Sequence, residues 1–207
     1  MTGFLVVYRP LIHRSAGRVA AKRFGHPPFL DGSCRREPDF ESEFPSISAL
    51  CRGKRFAPRV HVGDVAVYLA TKRRYGGHPA SHWRLTAVLR VRERLDDHEQ
   101  AAEWYRAHGL PLPSNCMVEG NPPIPYEQTV QDSPEETWDR DYRALAWRCP
   151  VFLVTEPLFR ELRDPPVVTV EMMEEAFGRI PGLLTPPAYP EARARRLLEL
   201  AGVPIAA

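Results

Sequence analysis

Twenty-two prolines in 207 residues, eight of them in adjacent pairs (Pro27-Pro28, Pro122-Pro123, Pro165-Pro166, Pro186-Pro187), cut this chain into short pieces. A proline pair offers no backbone N–H and fits neither a helix interior nor a central strand, so each pair marks a loop or an edge. The pieces between them carry no repeat, coiled coil or low-complexity tract. Several carry clear period-2 or continuous apolar patterns. Phe4–Tyr8 reads as a buried first strand, closed by Arg9-Pro10. Val65–Ala70, entered through the Gly63-Asp64 turn, is the clearest second strand, and His82–Arg92 reads as a long third one. Val151–Thr155 is a shorter candidate.

Helices are expected between and after these strands. Residues 13–26 suit a short helix and loop, and 46–52 a short helix opened by Pro45 or Ser46. Asp97 suits the N-cap of a helix ending near Ala107. A further helix opens at Thr169 or Val170 and ends at Gly178, and a final one runs from Glu191 to Ala201. The fold class is therefore α+β with a curled sheet. The expected division is residues 1–130 as the main unit, with 131–207 as a helical extension packed on it or continuous with it.

The net charge of +2 hides a split. Residues 1–95 hold 18 Lys+Arg against 7 Asp+Glu, and residues 96–207 hold 10 against 19. A half-molecule at +11 attracts polyanions. The alternative is ion pairing between the halves. The cationic side chains are 25 Arg and 3 Lys, and the forked guanidinium suits phosphate and base contacts.

Four separated cysteines (Cys34, Cys51, Cys116, Cys149), no export signal and no apolar run of bilayer length point to a cytoplasmic protein with reduced thiols and no membrane partner. Zinc on Cys34, Cys51 and His61 fits no familiar spacing, so no metal and no cofactor are expected. The sequence has no P-loop, Rossmann glycine fingerprint, HExxH, GxSxG or zinc-deaminase signature, and so no complete catalytic motif. A thiol–imidazole pair drawn from Cys34 or Cys51 with His61 or His82 is the nearest approach to one.

Arg59-Val-His-Val-Gly-Asp-Val-Ala-Val-Tyr-Leu-Ala70, followed by the strand holding Ala-Val-Leu-Arg-Val91, resembles the PUA-like superfamily, which includes ASCH, EVE and YTH domains. The order Gly25-His-Pro-Pro-Phe29, Gly32-Ser-Cys34, Cys51-Arg52, Arg59, Gly63-Asp64 is similar to that of the nucleotide-modification-associated domains of bacteria and phages. Leu95–Tyr105 resembles their helix after the long strand. The resemblance covers roughly residues 4–125, and the stretch between Cys34 and Cys51 departs from the pattern. It implies a small curled sheet or barrel with flanking helices, whose pocket receives a base, in some members a modified one. The implied function is binding of DNA or RNA in a modification or defence context. A nucleotide-modifying enzyme on the same scaffold and a protein–protein adaptor are the alternatives.

Reading an extruded base takes cations for phosphate, a ring or guanidinium for stacking, and polar groups for the base edge. The loop Lys72, Arg73, Arg74, Tyr75, Gly76, Gly77, His78, with His82 and Trp83 after it, supplies these within twelve residues. Tyr75 and Trp83 are expected to flank the pocket, unless they simply pack on the sheet. Arg35, Arg36 and Arg52 extend a possible phosphate track. Phe29, Asp39, Glu41, Ser46 and Ser48 are alternative pocket residues, in a segment (Glu37–Glu43) whose acids stand out in a basic half. Trp104, Trp138 and Trp147 read as core or interface. The proline-rich 111–135 stretch is the candidate protein-docking surface.

Overall fold

The computed structural model describes residues 2–182 and 184–204. The architecture is α+β, with a curled half-barrel sheet and helices on both of its faces. The strands are β1 (Thr2–Tyr8), β2 (Ser46–Ile47), β3 (Val65–Arg73), β4 (His82–Leu95), β5 (Phe152–Arg160), β6 (Val167–Val168) and β7 (Ala188–Pro190). Their order is β2-β5-β4-β3-β1-β7, with β6 joined to the start of β4. β1 and β3 run parallel and the other pairs antiparallel. The helices are α1 (Ser15–Phe24), α2 (His98–Ala107), α3 (Glu135–Arg148), α4 (Val170–Phe177) and α5 (Glu191–Leu200).

The three strands expected from apolar pattern, β1, β3 and β4, are neighbours at the centre of the sheet. β4 curls it. This strand is 14 residues long, and its register shifts at Val88/Leu89 and Val91/Glu93 against β5 bend the ladder as bulges do. Strict alternation sorts side chains between two cores. Phe4, Val6, Tyr8, Ala66 and Tyr68 face a core completed by Phe29, Phe40, Ile47 and Phe56. Leu5, Val67, Leu69, Trp83 and Leu85 face a second core, closed by Met173 and Phe177 of α4 and Leu197 and Leu198 of α5. Residues 131–207 thus supply β5, β6 and β7 to the sheet as well as α3, α4 and α5.

The caps follow the sequence. Asp97 Oδ1 accepts from Gln100 N at 2.8 Å, Thr169 Oγ1 accepts from Met172 N at 3.3 Å, and Gly178 ends α4 in the left-handed region. Residues 46–52 are not the expected helix. Ser46 and Ile47 pair with Val154 and Leu153, and Ser46 exchanges backbone hydrogen bonds with Asp39, so both edges of the segment are taken by extended partners.

Candidate functional site

One cavity of about 560 Å³ opens on the Tyr8–Tyr68 face of the sheet. It is assembled from distant parts of the chain. Tyr8 and Tyr68, on β1 and β3, and Phe56, from the turn before β3, give three buried rings. Trp138 and Tyr142, one helical turn apart on α3, give two more on another wall. Asp31, Glu37 and Ser48 supply the buried polar wall. At the solvent side stand Arg9, Arg14 and Leu184, all exposed, with His13 and Arg52 half-buried.

The acidic wall is held rigidly. Asp31 accepts from Ser33 N at 2.9 Å and from the Ser33 hydroxyl. Glu37 Oε1 accepts from Ser48 N at 2.9 Å, while Oε2 accepts from Asn115 Nδ2 at 3.0 Å and from the Ser48 hydroxyl. Asn115 is itself fixed by Ser46 Oγ at 2.7 Å. Burial outweighs these donors and, with the repulsion of Asp31, raises the Glu37 carboxyl to about 8. Asp31 is raised too, by burial, against its bonds from Ser33 and the field of Arg36. Cys51 is reachable from the cavity yet surrounded by protein; this enclosure and the charges of Asp31 and Glu37 push its thiol up. A thiol so held is mostly protonated at neutral pH and a weak nucleophile.

The open side is cationic. Arg73 donates to the carbonyl of His13, which brings the basic loop to the edge of the cavity. Burial and the charges of Arg73, Arg9 and Arg14 lower the His13 imidazole, so it is neutral at pH 7. Arg52 donates to the carbonyls of Val7 and Leu184 and spans the mouth.

Several expected site residues serve as scaffold. Arg35 and Arg36 are fully buried, so neither is part of a phosphate track. Arg35 donates to Asp139 Oδ1 at 2.6 Å and to the carbonyls of Ser114 and Asn121 at 3.0 Å each, which fixes α3, and hence Trp138 and Tyr142, against the acidic segment. Arg36, at φ 21°, donates to the carbonyls of Asp31 and Gln128 and lies 3.6 Å from Glu41. Asp39 accepts from Ser114 N and Oγ at 2.7 Å each and clips the 111–135 stretch to the core. That stretch also pairs through Ile124 N to Cys34 O and Val130 N to Gly32 O. A Cβ on Gly32 would lie 2.6 Å from Val130 Cγ1, so glycine permits the approach.

Tyr75 and Trp83 are both buried, and neither lines the cavity. Tyr75 donates to Thr71 O at 2.7 Å and packs edge-on against Phe29, which is core as well. Trp83 is filled in by Val168, Met173 and their neighbours, with Lys72 Nζ 4.8 Å from its ring centre. His82 is buried between Ala80 O and Arg84 Nε. Glu41 is exposed and Ser46 buried on Asn115, whereas Ser48 and Arg52 do line the cavity. Lys72 and Arg74 are exposed. Among the described residues no group of three potential metal ligands converges, and no helix is long and apolar enough to cross a membrane.

Asp31, Tyr68, Tyr142 and the Arg9–Arg14 rim escape sequence reasoning because they meet only after the chain closes on itself. The one local signal is a pair of acids, Asp31 and Glu37, inside a basic half. No protein-family model, curated protein or solved structure matches the chain.

Proposed function

We propose that this chain is a nucleic-acid-binding domain, in which the cavity between β1, β3 and α3 receives one nucleobase while Arg9, Arg14, Arg52 and Arg73 hold the adjoining phosphates. The observation that carries this reading is the polarity of the cavity. Rings and carboxyls lie inside, and arginines surround its open side. A nucleotide has the complementary order, a flat donor-bearing heterocycle at one end and an anion at the other. The volume of about 560 Å³ falls in the range of small-ligand sites and exceeds what one base needs. The basic first half supports the reading, and a modification or defence context is what the PUA-like resemblance implies.

Oligonucleotide binding tests this. Affinity for DNA or RNA should fall with salt, because each phosphate contact releases counterions. Arg9→Ala with Arg14→Ala should lower the logarithmic salt slope by about two. Absence of binding to any oligonucleotide at low salt would contradict the proposal.

A second reading, a nucleotide-modifying enzyme, is favoured by one observation: two buried carboxyls on one wall, with burial pushing Glu37 up to about 8. Such a group suits general acid–base chemistry. Mass spectrometry of nucleic acid incubated with the protein decides between binding and turnover.

A further inference from the structure

We infer that the cavity prefers a nucleobase carrying a positive charge, one alkylated on a ring nitrogen such as 3-methylcytosine or 1-methyladenine, over its neutral parent. The inference rests on the nucleotide reading above and adds the charge of the base. Five aromatic rings, Tyr8, Phe56, Tyr68, Trp138 and Tyr142, line the cavity together with Asp31 and Glu37. The face of a ring carries negative potential, and a box of rings with carboxylates attracts a delocalised cation more than a neutral heterocycle.

Two of the nearby cations are tied to the protein backbone. Arg36 lies behind Asp31 and is held by the carbonyls of Asp31 and Gln128 and by Glu41. The guanidinium of Arg52 is bound to backbone carbonyls at the mouth. Arg9 and Arg14 are exposed at the open side of the cavity.

Glu37 is the carboxyl whose charge a bound cation would set. Its four hydrogen-bond contacts all come from donors, Ser48 N to both oxygens, the Ser48 hydroxyl and Asn115 Nδ2. Burial and Asp31 nonetheless push its carboxyl up to about 8, and the protonated form is accommodated when the short contact with the Ser48 hydroxyl reverses, the carboxyl O–H donating to Ser48 Oγ. A cationic base entering beside it replaces that proton: the Glu37 carboxyl O–H ionises, the proton passes to solvent, and the carboxylate pairs with the base. Asp31, the other carboxyl on this wall, is also raised by burial. The Cys51 thiol and Tyr68 hydroxyl are pushed up, Tyr142 opposite Asp31 is also pushed up, and His13 at the rim is lowered.

The test is titration calorimetry at pH 7 with 3-methylcytidine monophosphate and cytidine monophosphate, each in two buffers of different ionisation enthalpy. The methylated nucleotide should bind about tenfold more tightly and release close to one proton, as linkage to a carboxyl that ionises on binding requires. Glu37→Gln should abolish both the proton release and most of the preference. If that variant fails to fold, the proton count on the native protein decides alone. Binding of both nucleotides with equal affinity and no proton release overturns the inference and leaves the nucleotide reading standing. Binding of neither overturns the inference, and the oligonucleotide titration then decides the nucleotide reading by itself.

Discussion

Two segments of this chain bring rings and charge together, and only one of them leaves space. Around Lys72–Trp83, Tyr75 and Trp83 are covered: β6 pairs with β4 at Trp83, α4 closes over it, and Lys72 lies on its ring. Around Asp31–Ser48, the rings of Tyr8 and Tyr68 meet α3 across a cavity. The difference lies in the covering helix. α4 offers Met173, Ala176 and Phe177, which fill the gap against the sheet. α3 buries only Asp139 and Ala146, and it is anchored to the acidic segment by the Arg35–Asp139 ion pair. Apolar cover makes core, and a polar helix held by an ion pair leaves a cavity.

Substitutions on the two sides should separate these roles. The largest effect is expected at Trp83→Ala. Removing a buried indole should cost about 3–5 kcal/mol of stability, read by denaturant unfolding, while the folded fraction keeps its affinity for oligonucleotides. Trp83→Ala that folds normally but loses binding would return the pocket to the basic loop. Next comes Tyr142→Ala, which should leave the unfolding midpoint nearly unchanged and weaken oligonucleotide binding by about 1–3 kcal/mol, the worth of one base–ring stack.

A smaller effect concerns pH. Folded Glu37 holds its proton up to about 8, whereas an unfolded glutamate releases it near 4.5. Between these values the folded state binds more protons, so rising pH destabilises it, by at most about 1.4 kcal/mol per unit. His98 acts in the opposite direction. Burial lowers it to about 4 from 6.5, and its contribution is lost as pH falls through that interval. Stability should therefore decline from pH 6.5 to 8, and Glu37→Gln should flatten this decline. An unchanged slope in Glu37→Gln would show that the carboxyl is ionised in the folded protein. The smallest effect is expected at Arg74→Ala. The side chain is exposed and absent from the cavity lining, so stability should change by less than about 0.5 kcal/mol.

The sheet was legible because its signals are local. Alternation in β1, β3 and β4, the Asp97 and Thr169 caps and the Gly178 stop each lie within a few residues of the element they define. The site was legible only in part, at Ser48 and Arg52 and in the acidic segment of Glu37. Tyr8 meets Tyr142 across the cavity from 134 positions away in the chain, and no pattern in either neighbourhood announces the meeting. Arg35 and Arg36 misled for a related reason. Two adjacent arginines suggest solvent and phosphate, and partners 79 to 104 residues on, the carbonyls of Ser114 and Asn121 and the Asp139 carboxylate, make burial of Arg35 tolerable. The Tyr75–Trp83 loop misled because composition shows which groups are adjacent and not what covers them.

Cys51 gives direct access to the central claim that nucleic acid enters this cavity. Among the four cysteines it alone is exposed; Cys34, Cys116 and Cys149 are buried. Iodoacetamide should therefore label Cys51 first in the folded protein, slowly because the thiol is pushed up. With a saturating single-stranded oligonucleotide, labelling of Cys51 followed by mass spectrometry should slow at least about tenfold, since a base in the cavity excludes the reagent over the bound fraction. Tight oligonucleotide binding with unchanged labelling of Cys51 would place the nucleic acid elsewhere on the protein and contradict the account.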